Sequence, residues 1–345
     1  MNLPDFFGLD ISQSSIKIAH SQRAGDGYQL LNLGSIEAGK NMMFLKDTQE
    51  KTQFAMQIKK LKDSLGIKSN KVVAALPEPI IFTKILTVPD IDEEMLEKLL
   101  YFEAKNQLPV SVETVQLDHI PIAKKEIDGK KFIQLLLVAA PKTFVNLYLE
   151  ILSLAKLELI ALETESIATS RVFSLNKEIK EALMIVDFGA LTMSVIVIKG
   201  KNIVFSQSIN TGSVTLTQAV ARDYNLSMEQ AEQYKKLYGL TNQIGGKIFN
   251  SLNPVMQIIV NELNKIINYV NINLVEFIPQ RFFITGQGSL LPGLQDYLVR
   301  ALGRNFEMFD PVLSSFSYTQ KVKDELVKST GLGYSVAVGL SIKEK

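Results

Sequence analysis

Two aspartates, Asp10 and Asp187, each close a short apolar run and are followed at once by a turn of small residues. The first run is Phe6-Phe7-Gly8-Leu9-Asp10-Ile11, with the turn Ser12-Gln13-Ser14-Ser15 and a β-rich return through Ile16, Lys17 and Ile18. The second is Leu183-Met184-Ile185-Val186-Asp187-Phe188, with Gly189-Ala190-Leu191-Thr192 and a return to Ile198. Backbone N–H groups in such turns can face phosphate oxygens without obstruction. A divalent cation bridging those phosphates takes oxygen ligands, often through water, and an aspartate supplies them. A third small turn, Gly286-Gln287-Gly288-Ser289, follows the run Arg281-Phe282-Phe283-Ile284-Thr285; its glycines allow a nucleoside to approach the backbone closely. Singly, an aspartate before a tight turn bonds its own backbone, and the third turn alone is a strand-to-helix connection. Repetition carries the nucleotide reading.

The elements that must position these residues follow from patterning. The strand–Asp–turn–strand unit used twice predicts two duplicated lobes facing each other across a cleft, and 345 residues suffice for two cores. Pro292 ahead of Leu294, Tyr297, Leu298 and Ala301 predicts a helix after the third turn. Between the first two turns, strands are predicted over 72–77, 80–88, 115–122 and 131–140, the last two joined at Asp128-Gly129. Helices are predicted over 92–104, with an acidic start, and over 144–157. Further helices are predicted over 213–224, over 227–238 from a Ser227/Gln230 capping box, and from Pro254 to Val270. Residues 41–53, 241–250 and 314–318 are expected to be loops. The expected organisation is a first lobe over 1–78, an inserted α/β subdomain over 79–160 and a return and inter-lobe connection over 161–180. A second lobe over 181–330 follows, then a C-terminal helix returning to the first lobe over 331–345.

Composition narrows the function. Formal net charge is +1 from 37 basic and 36 acidic residues, which gives no electrostatic reason for a nucleic-acid or anionic-membrane partner. Cysteine is absent, so disulfides, thiolate metal sites and a Cys nucleophile are excluded. The two histidines, His20 and His119, lack a matching nucleophile and acid, and no P-loop pattern occurs. The apolar stretches at 132–140 and 183–198 are too short or too interrupted to span a bilayer. The N-terminus meets an acid before any apolar run, so no signal peptide is expected. A soluble cytoplasmic protein is the expectation.

The three turns in this order resemble the phosphate-1, phosphate-2 and adenosine motifs of the actin-like ATPases. Within that group the chain is similar to the type IV pilus assembly PilM family. The similarity lies in Gly8-Leu9-Asp10-Ile11 with Ser14-Ser15-Ile16-Lys17, in Phe102-Glu103-Ala104-Lys105-Asn106-Gln107-Leu108-Pro109 and in Val115-Gln116-Leu117-Asp118. It continues in Leu226-Ser227-Met228-Glu229-Gln230-Ala231-Glu232 with Lys235, and in Leu290-Leu291-Pro292-Gly293-Leu294. The resemblance implies an actin-like fold binding ATP and Mg2+. Asp10 and Asp187 would hold the metal through water, while Ser12, Gln13, Ser14, Ser15 and Lys17 border the phosphates from the first lobe. Gly189, Ala190 and Thr192 would do so from the second. Gly286, Gln287 and Gly288 would border the nucleoside, Glu232 and Lys235 would approach ribose and adenine or form an i,i+3 ion pair on a solvated helix face, and Glu165 would stand where relatives keep a water-orienting residue or serve structure. The family usually has glycine where Ser12 and Gln287 stand. A side chain there narrows backbone approach, which argues for at most a slow ATPase.

The implied role is a cytoplasmic adaptor, peripheral at the inner face of the cytoplasmic membrane. It would couple nucleotide state to the N-terminal cytoplasmic peptide of a PilN-like inner-membrane protein, with other pilus-motor components, secretion or DNA uptake as related settings. The alternatives are a filament-forming protein of the FtsA or MreB type, a small-molecule kinase of the same fold, and a scaffold that has lost its nucleotide. The C-terminus leaves no room for an FtsA-like amphipathic anchor after Gly339, and no acid stands in a kinase-like setting in the first lobe.

Overall fold

The computed structural model describes residues 4–12, 15–175, 180–328 and 330–343. The chain opens with the hairpin β1 (Phe7–Ile11) and β2 (Ser15–Ala24), followed by β3 (Gly27–Glu37) and helix α1 (Thr48–Leu65). Asp47 caps α1 by accepting the Glu50 N–H, and Gly66 ends it at φ 75°. Strand β4 (Lys71–Leu76) returns beside β1, and β5 (Phe82–Pro89), α2 (Glu93–Gln107), β6 (Val115–Ile127) and β7 (Lys130–Pro141) follow. Helix α3 (Lys142–Leu154), strand β8 (Glu158–Thr164) and helix α4 (Glu165–Phe173) then complete the first half.

The second half repeats the plan. It runs β9 (Ala182–Phe188), β10 (Met193–Lys199), β11 (Asn202–Ile209), α5 (Ser213–Tyr224), α6 (Met228–Tyr238), α7 (Lys247–Asn273), β12 (Arg281–Thr285), α8 (Leu294–Leu302) and β13 (Phe306–Met308). Last come α9 (Pro311–Ser315), β14 (Ser317–Tyr318), α10 (Gln320–Lys328) and α11 (Ser335–Ser341). The first sheet has the order β3-β2-β1-β4-β8, with β14 added outside β3; the second has β11-β10-β9-β12-β13. Each consists of two antiparallel pairings followed by two parallel ones, strand for strand the same. The duplication read from two turns therefore extends across both sheets.

The insert is smaller than expected, and it touches both lobes. Its sheet, β5-β7-β6, spans 82–141. Residues 142–157 belong to the first lobe, because Tyr148, Ile151, Leu152, Ala155 and Leu157 pack into the core beneath α1. Alternate residues of β7 face opposite ways: Leu135, Leu137 and Ala139 meet α2, whereas Leu136 joins the second-lobe core with Ile122 of β6. The contact is sealed by Asn202 Nδ2 donating to the Ile122 carbonyl at 2.8 Å and by a 2.8 Å Lys125–Glu276 ion pair.

Other expectations shift too. The return to the first lobe begins near 311 and not at 331: β14 pairs with β3, and Val312, Phe316 and Val322 pack beside Leu30 and Leu33. The segments expected as loops hold α1 from Thr48, α7 from Lys247, α9 and β14. Helix α7 starts two turns before Pro254, which lies inside it. The capping box of α6 forms as read, with Ser227 and Gln230 bonded reciprocally.

Helix α11 locks the first lobe by close backbone approach. A methyl group on Gly339 would lie 1.9 Å from the Ala168 carbonyl oxygen in α4, and one on Gly8 would lie 2.1 Å from the Ala337 oxygen. Alanine at 339 is therefore expected to lower unfolding free energy by about 1–3 kcal/mol despite its better helix propensity. Urea denaturation checks this, and an unchanged or raised midpoint would contradict it.

Candidate functional site

The two hairpin turns are built alike. In the first, Ser12 N–H donates to the Ser15 carbonyl at 2.9 Å; in the second, Gly189 N–H donates to Thr192 at 3.0 Å. Each aspartate stands two residues before its donor. The Ser12 hydroxyl also accepts the Ser15 N–H at 3.1 Å, so serine closes the turn in which it replaces the family's glycine. Gln13 and Ser14 lie outside the described residues. The second turn is anchored to α5, whose Ser213 and Val214 N–H groups donate to the Gly189 and Ala190 carbonyls.

Both turns open on one cleft between the lobes, with about 920 Å3 of space including its solvent-open mouth. Asp10, Ser12, Ser15 and Lys17 line it from the first lobe, and Asp187, Gly189, Ala190, Thr192, Gly286 and Gln287 from the second. Gly286 has φ 82°, and a methyl there would lie 2.3 Å from Asp187 Oδ1; only glycine fits this corner. The turn from Leu332 to Val336 closes the cleft from the C-terminal side. Gln287 is exposed and reaches across to it: a methyl on Gly333 would come within 2.9 Å of the Gln287 amide nitrogen. Its side chain spans the cleft edge and does not fill the interior.

The electrostatics are lopsided. Asp10, Glu165 and Asp187 line the cleft, and Glu78 is buried just behind it; Lys17 is the one cation among the described lining residues. Lys17 Nζ stands 3.7 Å from Asp10 Oδ2. Burial raises the Asp10 carboxyl above its usual range, with Lys17 pulling the other way. Burial also lifts Asp187 to about 6, opposed by Lys17 and reinforced by Asp10. Glu165 is pushed well up, by burial and then by the charge of Asp10, although it accepts the Glu78 N–H at 3.1 Å. Asp187 and Glu165 keep part of their surface on the cleft; the protein mass around them is what removes bulk water. Tyr148 lies behind these acids with its buried hydroxyl unpartnered, and burial and the charges of Glu165 and Asp10 raise its pKa.

This arrangement fits a bound cation with an anionic ligand. Crowded carboxylates with one lysine call for positive charge, and two small-residue turns with a glycine-only corner leave room for phosphates and a nucleoside. Among the described residues no three acids or histidines converge to hold a metal directly, so Asp10 and Asp187 would act through water.

Glu232 and Lys235 do not line the cleft. Lys235 is buried and donates to the Ser213 carbonyl at 3.0 Å, to Ser213 Oγ at 2.6 Å and to Thr217 Oγ1 at 2.8 Å, while pairing with Glu232 at 2.7 Å. The pair fastens α6 to the start of α5, and hence acts on the second turn indirectly. Glu78 and Tyr148 were not singled out from the sequence. An acid between two prolines, Pro77-Glu78-Pro79, was the available signal for the first; nothing local marked the second.

The sequence profile of the family described as Type IV pilus assembly protein PilM matches residues 8–345. Among solved structures, a PilM–PilN type IV pilus biogenesis complex aligns over 99% of this chain and 98% of its own, with 25% identity and a TM-score of 0.86. The ethanolamine utilization protein EutJ from Carboxydothermus hydrogenoformans covers 99% of this chain and 90% of its own at 15% identity and TM-score 0.55. MreB5 of Spiroplasma citri bound to ADP covers 98% and 95% at 14% identity and TM-score 0.56. The last two share the fold, which is that of the actin-like ATPases.

Asp187 gives the site a pH signature. Its ordinary value is 3.8 and its folded value about 6. Below pH 4 both states carry the proton and no cost arises. Between 4 and 6 the unfolded chain ionises first, so stability falls as pH rises. Above 6 the full cost is felt, on the order of 2–3 kcal/mol. Asp187→Asn should therefore gain stability relative to wild type as pH rises from 4 to 7, by thermal denaturation without nucleotide. A difference that does not change with pH would contradict this.

Proposed function

The chain belongs to the PilM family of type IV pilus assembly proteins, and from this premise we propose that it is an ATP-binding adaptor whose lobes register the nucleotide for a membrane-bound partner. The observation that carries the reading is the pair of matched turns, each with its aspartate, on a cleft whose acids outnumber its single lysine. Asp10 and Asp187 would hold Mg2+ through its water shell, the turns at Ser12–Ser15 and Gly189–Thr192 would border phosphates, and Gly286 and Gln287 would border the nucleoside; Gly288, expected beside them, is buried against Phe188 and does not line the cleft. Bound Mg2+ supplies charge neutralisation between phosphates and carboxylates. Lys17 holds Asp10 in place and screens it.

Binding is favoured over turnover. Glu165 would be the acid that orients water, yet burial and the charge of Asp10 push its carboxyl well above the usual range. As a base it would first need charge brought into the cleft. At most a slow ATPase results.

The partner is the N-terminal cytoplasmic segment of a PilN-like inner-membrane protein, in line with the PilM–PilN complex among the structural relatives. A groove fits an extended segment. Strand β5 is the edge of the insert sheet, β11 is the edge of the second-lobe sheet, and the space between them is about 1140 Å3. Ile81, Phe82, Ile85, Phe205 and Tyr269 give it apolar walls. Open edges offer main-chain bonds and the walls offer side-chain pockets. Among the described residues no helix is long and apolar enough to cross a membrane. Recruitment to the inner face of the cytoplasmic membrane would run through this contact.

A labelled synthetic peptide of that N-terminal segment tests the coupling by fluorescence anisotropy. Its affinity should change about fivefold or more when Mg-ATP is added, and Gln207→Arg on the exposed groove wall should weaken it. Equal affinity with and without Mg-ATP would contradict the proposal.

A further inference from the structure

The cleft and the groove share a wall. Pro77 and Pro79 line the cleft, and Glu78 and Pro79 line the groove. Glu78 is only 4% exposed; its carbonyl accepts the Ile81 N–H within its own turn, while its N–H and both carboxylate oxygens bond to other elements. Its N–H donates to Glu165 Oε2 at 3.1 Å, on the cleft side. One carboxylate oxygen accepts the Ser166 N–H at 3.3 Å, at the first turn of α4. The other accepts the hydroxyl of Ser206 in β11, across the lobe boundary. Ser206 also lines the groove, and its carbonyl accepts the Thr83 hydroxyl of β5 at 3.3 Å.

We infer that Glu78 is a positioning residue that couples the cleft to the groove, transmitting displacement of Glu165 to the outer strand of the second lobe. The flanking prolines fix φ on both sides, so the segment turns as a unit. Movement of the Glu165 carboxylate pulls on the Glu78 amide, and the stiff backbone passes that movement to a carboxylate bonded to Ser206. Because Ser206 stands in the other lobe, its bond to Glu78 is made or lost as the lobes change their angle. That bond is the two-state element that such a coupling requires. A ligand at either site can then bias the other. The inference deepens the adaptor reading and rests on it only for the identity of the cleft ligand.

Hydrogen–deuterium exchange over residues 202–209 tests this in the ligand-free protein, using wild type, Glu165→Gln, Glu78→Gln and the double variant. Glu165→Gln should shift exchange in β11 by about fivefold or more, and the shift should vanish when Glu78 is glutamine. Ser206→Ala, which removes the bond from the opposite side, should abolish it likewise and serves if Glu78→Gln fails to fold. A shift of equal size in all backgrounds would overturn the inference, as would no shift in the wild-type background. In a second arm, Mg-ATP that binds calorimetrically but leaves β11 exchange unchanged would also overturn it. Mg-ATP that fails to bind would instead overturn the nucleotide reading, and the ligand-free comparison would still decide the role of Glu78.

Discussion

Four carboxylates crowd the seam between two lobes with one lysine beside them, and this imbalance organises the molecule. Asp10 and Glu78 are buried outright, and Glu165 and Asp187 open only on the cleft. Holding such a set together costs free energy in the empty protein. The surrounding structure is built to bear it: two sheets of identical order place Asp10 and Asp187 on facing turns, and α11 clamps β1 and α4 by direct backbone contact. Positive charge bound in the cleft would relieve that cost.

The insert turns a two-lobe device into a three-body one. One face of its sheet is covered by α2, and the other packs on the second lobe. The insert is thereby tied to the second lobe, through Asn202 of β11 as well as through the shared core.

The aspartate turns were legible in the sequence because everything defining them is local: strand, acid, small residues, return strand. The duplication was legible for the same reason, and the structure extends it to five matching strands in each sheet, with β14 outside the repeat. Less local features were not. Strand β14 has two residues and no periodicity to read, so the sequence hides its pairing with β3 and with it the point where the chain returns to the first lobe. The apolar face of helix α3 carries no mark of its partner in the sequence; Tyr148, Ile151 and Leu152 find theirs under α1 and not in the insert. For Glu232 and Lys235 the motif leaves a ligand contact and an i,i+3 ion pair equally open; the fold makes the ion pair and turns it inward to Ser213 and Thr217. Glu78 escaped notice because its importance lies in bonds to residues 87, 88 and 128 positions away.

The central claim is that the acid-lined cleft is a Mg-nucleotide site. Isothermal titration of Mg-ATP into the purified protein tests it most directly. The account predicts one saturable event that disappears in Asp187→Ala and is strongly weakened when EDTA removes the metal. No heat, with no nucleotide carried through purification, would contradict it and leave a scaffold that keeps the fold without the ligand.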